Sequence, residues 1–347
     1  MLTIFLLHNL PYVNRSDVKS LKRRVEISGV DLQVVSEVSP ISVKNVTSKI
    51  DVEREEITHH KNIQRRMEER AVTLRTACQE NPPLKFPKHK PSIIVLEDYN
   101  VTACVVLKVG ASTFTSLLVE ILRDTELKKA KKSYLIITKY APSPKRFQEL
   151  LKSTKFQQIL FVRDPLQRLL SAYNNRIKNQ NAYNAQATRY GPDVLKTIRK
   201  LKLPNEDYFH PNKTLKIVPT FSEFIEYLTL KKPTFYDQHW KPITLVCSIC
   251  QINYTHVIRM ETFTEDLLTL MWMTGMDQKT HKTHLKRHAN RSPVDTSQIL
   301  VENYSKLKPE VLSKIIHIYK YDFILLGYDP SELLNQISPH VEIKWRD

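Results

Sequence analysis

Glycine is scarce in this sequence, with five in 347 residues. That excludes a collagen, a Gly-rich linker protein and a glycine-punctuated propeller. A run of about twenty apolar residues is also missing, so the sequence shows no membrane-spanning helix. The apolar start, Met1-Leu2-Thr3-Ile4-Phe5-Leu6-Leu7, is too short for an anchor or a signal-peptide core. Cysteine is limited to Cys78, Cys104, Cys247 and Cys250. These fit one or two disulfides in an oxidising compartment, and three pairings are open. Half a zinc site at Cys247-x-x-Cys250 is the alternative, but no second CxxC has the right spacing and His281 with His284 is a weak complement. Acidic residues are in deficit: 36 Asp and Glu face 53 Lys and Arg, for a formal net charge of +17. Such an imbalance calls for an anionic partner, whether nucleic acid, phosphate or sulfate esters, acidic glycans or an anionic membrane surface.

What is present is enough to fold. The chain is 41% hydrophobic, which supports a core and excludes wholesale disorder. Its length fits one large domain or two small ones. The charge is unevenly spread: residues 1–98 carry sixteen Lys and Arg against thirteen Asp and Glu, whereas residues 121–200 carry eighteen against five. Asn-x-Ser/Thr sequons begin at Asn14, Asn45, Asn100, Asn212, Asn253, Asn290 and Asn303. That enrichment points to a secretory-pathway glycoprotein. Asn100 and Asn253 lie in apolar, strand-like stretches and are the poorest acceptors.

Residues 1–50 read as a stem or linker, being polar and β-branched over 11–50 without a clear period. Residues 51–84 read as a helical pre-domain segment. Asp51 can cap it, Glu53, Glu55 and Glu56 favour its positive end, and Arg65, Arg66, Arg70 and Arg75 come late. Asn81-Pro82-Pro83, with Pro87 and Pro91, breaks that helix. The main domain then runs over 85–330, with 331–347 as a tail. Within it, strands are expected at 101–109, 134–138 and 158–162, and helices at 114–123 and 166–178. Further helices fall at 221–230, 264–273 and 309–319. This alternation predicts an α/β domain with a mostly parallel sheet flanked by helices and a helix-rich C-terminal part.

Two strand–turn–helix sites carry chemistry. The first is Leu107-Lys108-Val109-Gly110-Ala111-Ser112-Thr113-Phe114. A buried strand delivers a lysine, Gly110 gives a tight turn, and two hydroxyls open a helix whose free N–H groups suit a phosphate. The spacing is not that of a nucleoside triphosphatase loop. Taken alone, a plain helix cap explains the pattern as well. The second site runs from Phe161 to Tyr173. Asp164 can cap a helix, and Pro165 fits its first turn. Arg163 then stands at the carboxyl end of a strand, where open α/β sheets bind ligands, and Ser171 lies about two turns on. Arg168 reads equally as a surface or intrachain salt-bridge residue.

These residues resemble a family. The first site is similar to the 5′-phosphosulfate loop of sulfotransferases that use 3′-phosphoadenosine 5′-phosphosulfate (PAPS). The string Arg163-Asp164-Pro165-x-x-Arg168-Leu169-x-Ser171-Ala172-Tyr173 resembles their 3′-phosphate motif. Asp237-Gln238-His239-Trp240-Lys241-Pro242-Ile243, then Cys247 to Tyr254, then Tyr319 to Asp329, look like the Golgi carbohydrate sulfotransferases of chondroitin 4-O and HNK-1 type. The resemblance covers residues 65–330 in consistent order. Phe114 and Thr115 depart from it, because members usually carry a Trp or similar residue and then a basic one there. Ala111-Ser112 likewise replaces a Cys-Thr pair.

The resemblance implies a P-loop-like sulfotransferase fold and transfer of a sulfuryl group from PAPS to a glycan hydroxyl, without a metal. Chondroitin or dermatan N-acetylgalactosamine 4-O-sulfation is the best-matched reaction. Lys108 would stabilise charge on the leaving phosphate. The turn Lys108, Val109, Gly110, Ala111, Ser112 and Thr113 would cradle it, and Arg163 and Ser171 would hold the 3′-phosphate. His239 is the candidate general base, as its ordinary pKa suits the task, with Glu261 the second. The partner is then an acidic glycan or glycoprotein acceptor and not nucleic acid. The family implies a Golgi-lumenal, membrane-associated type II protein, although the chain shows no anchor. A non-catalytic binder of heparin-like glycans is the competing reading. The lysines of 121–200 are expected to line one face around Arg163. A second basic run, Lys279, Lys282, Lys286, Arg287 and Arg291 with His281, His284 and His288, reads as a solvated loop or a polyanion contact.

Overall fold

The apolar stretches nearest the two motifs become strands. The computed structural model describes residues 40–81, 92–130, 133–279 and 297–339. Strands β1 (Ile93–Leu96), β2 (Val101–Cys104), β3 (Gln157–Val162) and β4 (His256–Arg259) form one sheet in that order. β1 is antiparallel to β2, and β2, β3 and β4 are parallel. Their residues are buried almost throughout, as a sheet covered on both faces requires. This is the mostly parallel α/β sheet the alternation predicts.

The chain divides into two compact units, residues 1–58 and 59–347. Helix α1 (Pro40–Glu80) supplies all that is described of the first. It begins well before Asp51, at a proline, which fits a first helical position. From His59 on, Ile63, Met67, Ala71 and Leu74 of α1 are buried in the sheet core. The late arginines do more than balance the helix dipole. Arg66 and Arg70 both grip the buried Asp266 carboxylate at 2.6 Å, and Arg75 donates to the Tyr254 carbonyl. The boundary expected near residue 85 lies outside the described residues.

Between β2 and β3 come α2 (Ala111–Ile121), α3 (Thr125–Ala130), α4 (Ile136–Lys139) and α5 (Pro144–Lys152). The strand expected at 134–138 is therefore helical. A five-residue apolar run does not separate strand from buried helix. Its end instead covers the outer edge of β1, where Val95 N–H donates to the Tyr140 carbonyl. After β3 come α6 (Pro165–Tyr173), α7 (Ala185–Ile198), α8 (Phe221–Thr229) and α9 (Ile243–Cys247). After β4 come α10 (Phe263–Thr274), α11 (Ser297–Tyr304), α12 (Pro309–Ile318), α13 (Lys320–Leu326) and α14 (Ser331–Ile337). This is the expected helix-rich C-terminal part. A second core forms here, from Leu166 and Leu169 of α6, Phe224 and Leu228 of α8, Trp240, Tyr304, Leu312 and Phe323.

The cysteines pair as Cys78–Cys250 and Cys104–Cys247. One bond ties α9 to β2, and the other ties the following turn to α1. Cys247 and Cys250 are thus spent on two separate disulfides, and the half zinc site is not formed. Among the described residues no cluster of His, Cys, Asp and Glu is placed to hold a metal, and no helix is long and apolar enough to cross a membrane. Of the described sequons, Asn212 and Asn253 are exposed, while Asn100 and Asn303 are half-buried. Asn253 sits in a turn before β4, so it is accessible despite its apolar neighbours.

Candidate active site

The chain leaves β2 and turns through Leu107–Gly110 into α2. Lys108 and Gly110 both adopt left-handed backbone, with φ of 72° and 83°. Glycine takes that conformation freely, whereas a lysine there costs about 1 kcal/mol. The turn shortens the strand expected at 101–109 to Val101–Cys104. Two arginines from the second motif hold it. Arg163 Nη1 donates to the Lys108 carbonyl at 3.3 Å, and Arg168 Nε donates to the Leu107 carbonyl at 3.0 Å. Gly110 caps α2, and a Cβ there would lie 2.3 Å from the Phe263 ring. Gly110→Ala is therefore expected to lower stability by about 2 kcal/mol or more, read by thermal denaturation. An unchanged midpoint would show that the turn relaxes freely.

Val109 and Ala111 are buried, whereas Ser112 is exposed and Thr113 half-buried at the open N-terminus of α2. The first N–H groups of that helix have no intrahelical acceptors. Phe114 and Thr115 point into the core, with the Phe114 ring 4.7 Å from that of Phe161. The departure from the family pattern thus faces the sheet and not the cradle.

The second motif behaves locally as read. Asp164 accepts from Gln167 N–H at 2.8 Å to cap α6, and Pro165 takes its first position. Burial pushes the Asp164 carboxyl up to about 6. Arg163 is half-buried at the end of β3, and its Nε is enclosed without a protein partner among the described residues. Ser171 is half-buried on α6, and among the described residues no hydrogen bond joins it to Arg163. Glu261 accepts from Asp164 N–H and from the Tyr328 hydroxyl, which places it on the Arg163 side.

Arg168 corrects the salt-bridge reading. It is 1% exposed and bonds backbone carbonyls rather than carboxylates. Besides Leu107, it donates to Lys241 at 2.7 Å and to Gln238 at 3.1 Å. One side chain therefore ties the Lys108 turn to the segment carrying His239. Its three acceptors are remote in sequence, which is why no local signal could reveal it.

Further anchors fix that segment. The Tyr319 hydroxyl donates to the Trp240 carbonyl. The Asp322 carboxylate accepts from Ile243 and Thr244 N–H at 2.7 and 2.9 Å, capping α9 from a distance. Trp240 packs edge-on against Phe224 and Tyr190. His239, 8% exposed, is held by Asp237, whose Oδ1 lies 2.6 Å from Nδ1. With its Nδ1 proton shared to the carboxylate, Nε2 keeps its lone pair. Burial lowers the His239 pKa; Asp237 opposes this, and Arg176 and Lys108 add to it.

Two of the cations here, Lys108 and Arg176, lack a paired counter-charge among the described residues. Burial, reinforced by Arg176, Arg163 and Arg168, lowers the Lys108 amine to about 8. Neither Lys108 nor Arg176 has a carboxylate partner among the described residues. Arg176 is the group the sequence reading missed. It follows the second motif on a π-helical turn, Asn174–Lys178, a feature without a sequence signature. Three cations of the basic stretch 121–200 have acidic partners of their own. Lys139 pairs with Asp124 and Glu126, Arg146 with Glu97 and Glu149, and Arg199 with Glu223. The second basic run lies outside the described residues from residue 280 on.

Comparison with known proteins agrees with this geometry. No solved structure matches. Carbohydrate sulfotransferase 14 of Danio rerio is 27% identical over 271 residues, covering 74% of this chain and 70% of the relative. Carbohydrate sulfotransferase 11 of Mus musculus is 25% identical over 256 residues, 70% of this chain and 68% of its own. Carbohydrate sulfotransferase 9 of Homo sapiens is 28% identical over 255 residues, 69% of this chain and 54% of its own. A profile described as Sulfotransferase family matches residues 91–329, which is most of the chain and takes in the sheet, both motifs, the His239 segment and α13. With the cradle at the end of β2, the arginine at the end of β3 and that match spanning both, the chain belongs to the sulfotransferase family.

Proposed function

We propose that the protein transfers a sulfuryl group from PAPS to a hydroxyl of a glycan. PAPS would supply the sulfuryl group and a phosphate leaving group. The single observation that carries the reading is the joining, through Arg168, of a cationic helix-N-terminal cradle to a histidine oriented by a carboxylate. The residues fit an anionic donor: Lys108 lacks a counter-ion, and Arg163 keeps an enclosed donor unused. Lys108 neutralises charge that develops on the leaving phosphate, and the turn from Val109 to Thr113 offers N–H groups and hydroxyls to it. Arg163 and Ser171 hold the 3′-phosphate. His239 Nε2 takes the acceptor proton, as a base positioned by Asp237. Such transfer depends on positioning and charge neutralisation, and the buried anchors around Trp240 and Lys108 supply rigidity for both.

The relatives' names support a carbohydrate acceptor. The His-Trp-x-Pro-Ile and Cys-x-x-Cys-x-Ile-Asn-Tyr strings favour N-acetylgalactosamine of chondroitin or dermatan, at the 4-hydroxyl. The two disulfides and the exposed sequons fit a Golgi-lumenal location, where the protein would be membrane-associated. The test is transfer of radiolabelled sulfate from PAPS to a panel of desulfated glycans, with disaccharide analysis. Label at the 4-position of N-acetylgalactosamine is expected. No label on any glycan, together with no calorimetric binding of adenosine 3′,5′-bisphosphate, would leave the non-catalytic glycan-binding reading in its place.

A further inference from the structure

We propose that Arg176 is a further catalytic residue, whose guanidinium holds the oxygens of the sulfuryl group while it passes from donor to acceptor. The inference rests on the transfer reaction proposed above.

Arg176 is placed by an irregularity. Helix α6 ends at Tyr173 and the backbone continues as a π-helical turn over Asn174–Lys178. A π turn inserts one residue relative to an α-helix and so changes which side chain faces inward; such bulges collect at functional sites. Ile177 pins the turn into the second core. Arg176, beside it, is half-buried, and its Nε is enclosed with no hydrogen-bond partner among the described residues. Arg176 also makes no ion pair there. An enclosed N–H without an acceptor is costly, and an anion bound by the guanidinium would satisfy it.

Its neighbours say which anion. Arg176 acts electrostatically on both Lys108 and His239. In the proposed reaction those two residues serve opposite ends of the displacement, the leaving phosphate and the attacking hydroxyl. The group between them is the sulfuryl. Arg163 bonds the Lys108 carbonyl through Nη1, and in the proposed reaction its remaining donors serve the 3′-phosphate. In the transfer, the acceptor oxygen forms a bond to sulfur as the bond from sulfur to the bridging phosphate oxygen breaks. The electron pair of that bond stays on the phosphate, and the hydroxyl proton goes to His239 Nε2. The three remaining sulfuryl oxygens are carried across intact. A planar guanidinium beside them offers fixed donors that need not reorganise.

The test uses the full chain, with Arg176→Gln and Arg176→Lys. At saturating substrates, kcat of Arg176→Gln is expected to fall about a hundredfold or more, and that of Arg176→Lys about tenfold, since lysine keeps charge but not the planar fork. Calorimetric affinity for adenosine 3′,5′-bisphosphate should change less than about threefold in both, because neither phosphate touches Arg176. Inorganic sulfate is then titrated into protein saturated with that nucleotide. Wild type should bind it, and Arg176→Gln should bind it about tenfold more weakly. If Arg176→Gln does not fold, Arg176→Lys carries the same comparison. Retained kcat, sulfate binding that is absent from wild type or unchanged in the variants, or a loss confined to the acceptor KM would each overturn the assignment. A nucleotide affinity that falls as much as in Arg163→Gln would do so too, by placing Arg176 on the donor phosphates. If wild type itself fails to bind the nucleotide, it is the proposed reaction that falls.

Discussion

Replacing Lys108 with alanine is expected to lower kcat/KM for sulfate transfer about a thousandfold. The expectation follows from the electrostatics of a cationic site whose lysine has no carboxylate partner among the described residues. Burial, with three arginines beside it, lowers the Lys108 amine to about 8, so at neutral pH it is charged but unsatisfied. An incoming phosphate relieves that repulsion, and the charge growing on the phosphate in the transition state relieves it further, which is the differential binding that catalysis needs. The same pKa sets a pH limit. Above about 8 the amine of the free enzyme is neutral and offers no charge, so kcat/KM should fall on the alkaline side with a midpoint there. Lys108→Arg stays charged through this range, so its residual activity should lose that alkaline limb. The turn geometry disfavours full activity in this variant, because the side chain leaves a strained left-handed residue and the bulkier head must fit the same space. A profile of transfer rate against pH for the three proteins checks both points. Activity of Lys108→Ala within tenfold of wild type, or an alkaline limb unmoved in Lys108→Arg, would remove Lys108 from the leaving-group role.

The legible part of this site is local. Gly110 before two hydroxyls, and Asp164-Pro165 after an apolar run, announce strand–turn–helix junctions from a few neighbouring residues, and the structure forms both. The apolar run at 134–138 announces only burial, so its helical state had to come from the β1 edge it covers. Pairing of the four cysteines needs distances between α1, β2 and the turn after α9, and spacing contains none of them. The roles of Arg168, Tyr319 and Asp322 are also non-local. Each acts on backbone groups remote in sequence, and an arginine bonded to carbonyls looks in a sequence like any arginine. The charge excess is legible only in part for a related reason: composition counts charges but not the acids that face them, and Lys139, Arg146 and Arg199 have theirs.

Removal of His239 should be the next most damaging change, and its partner makes the role testable. His239→Ala is expected to lower kcat about a thousandfold, while adenosine 3′,5′-bisphosphate binding, measured by calorimetry, stays within about twofold. A histidine that merely filled space would be missed in stability and not selectively in kcat. The sharper experiment is Asp237→Asn. The base is active only when neutral, so kcat/KM should fall as pH drops through the His239 pKa. Burial already places that value below the ordinary one, and the Asp237 carboxylate opposes the shift. Neutralising Asp237 removes the opposition, so the acid limb should move to lower pH. The amide can still receive the Nδ1 proton through its oxygen, but it can equally present its NH2 group and stabilise the wrong tautomer, so kcat should drop about tenfold to a hundredfold. The two changes run in opposite directions, a wider active pH range with a slower maximum, and a structural role for the pair gives no such combination. If His239→Ala keeps its kcat, or if the acid limb in Asp237→Asn stays where it was, the proton goes elsewhere. Glu261, bonded to Tyr328 and to the Asp164 N–H beside Arg163, is then the group to replace next.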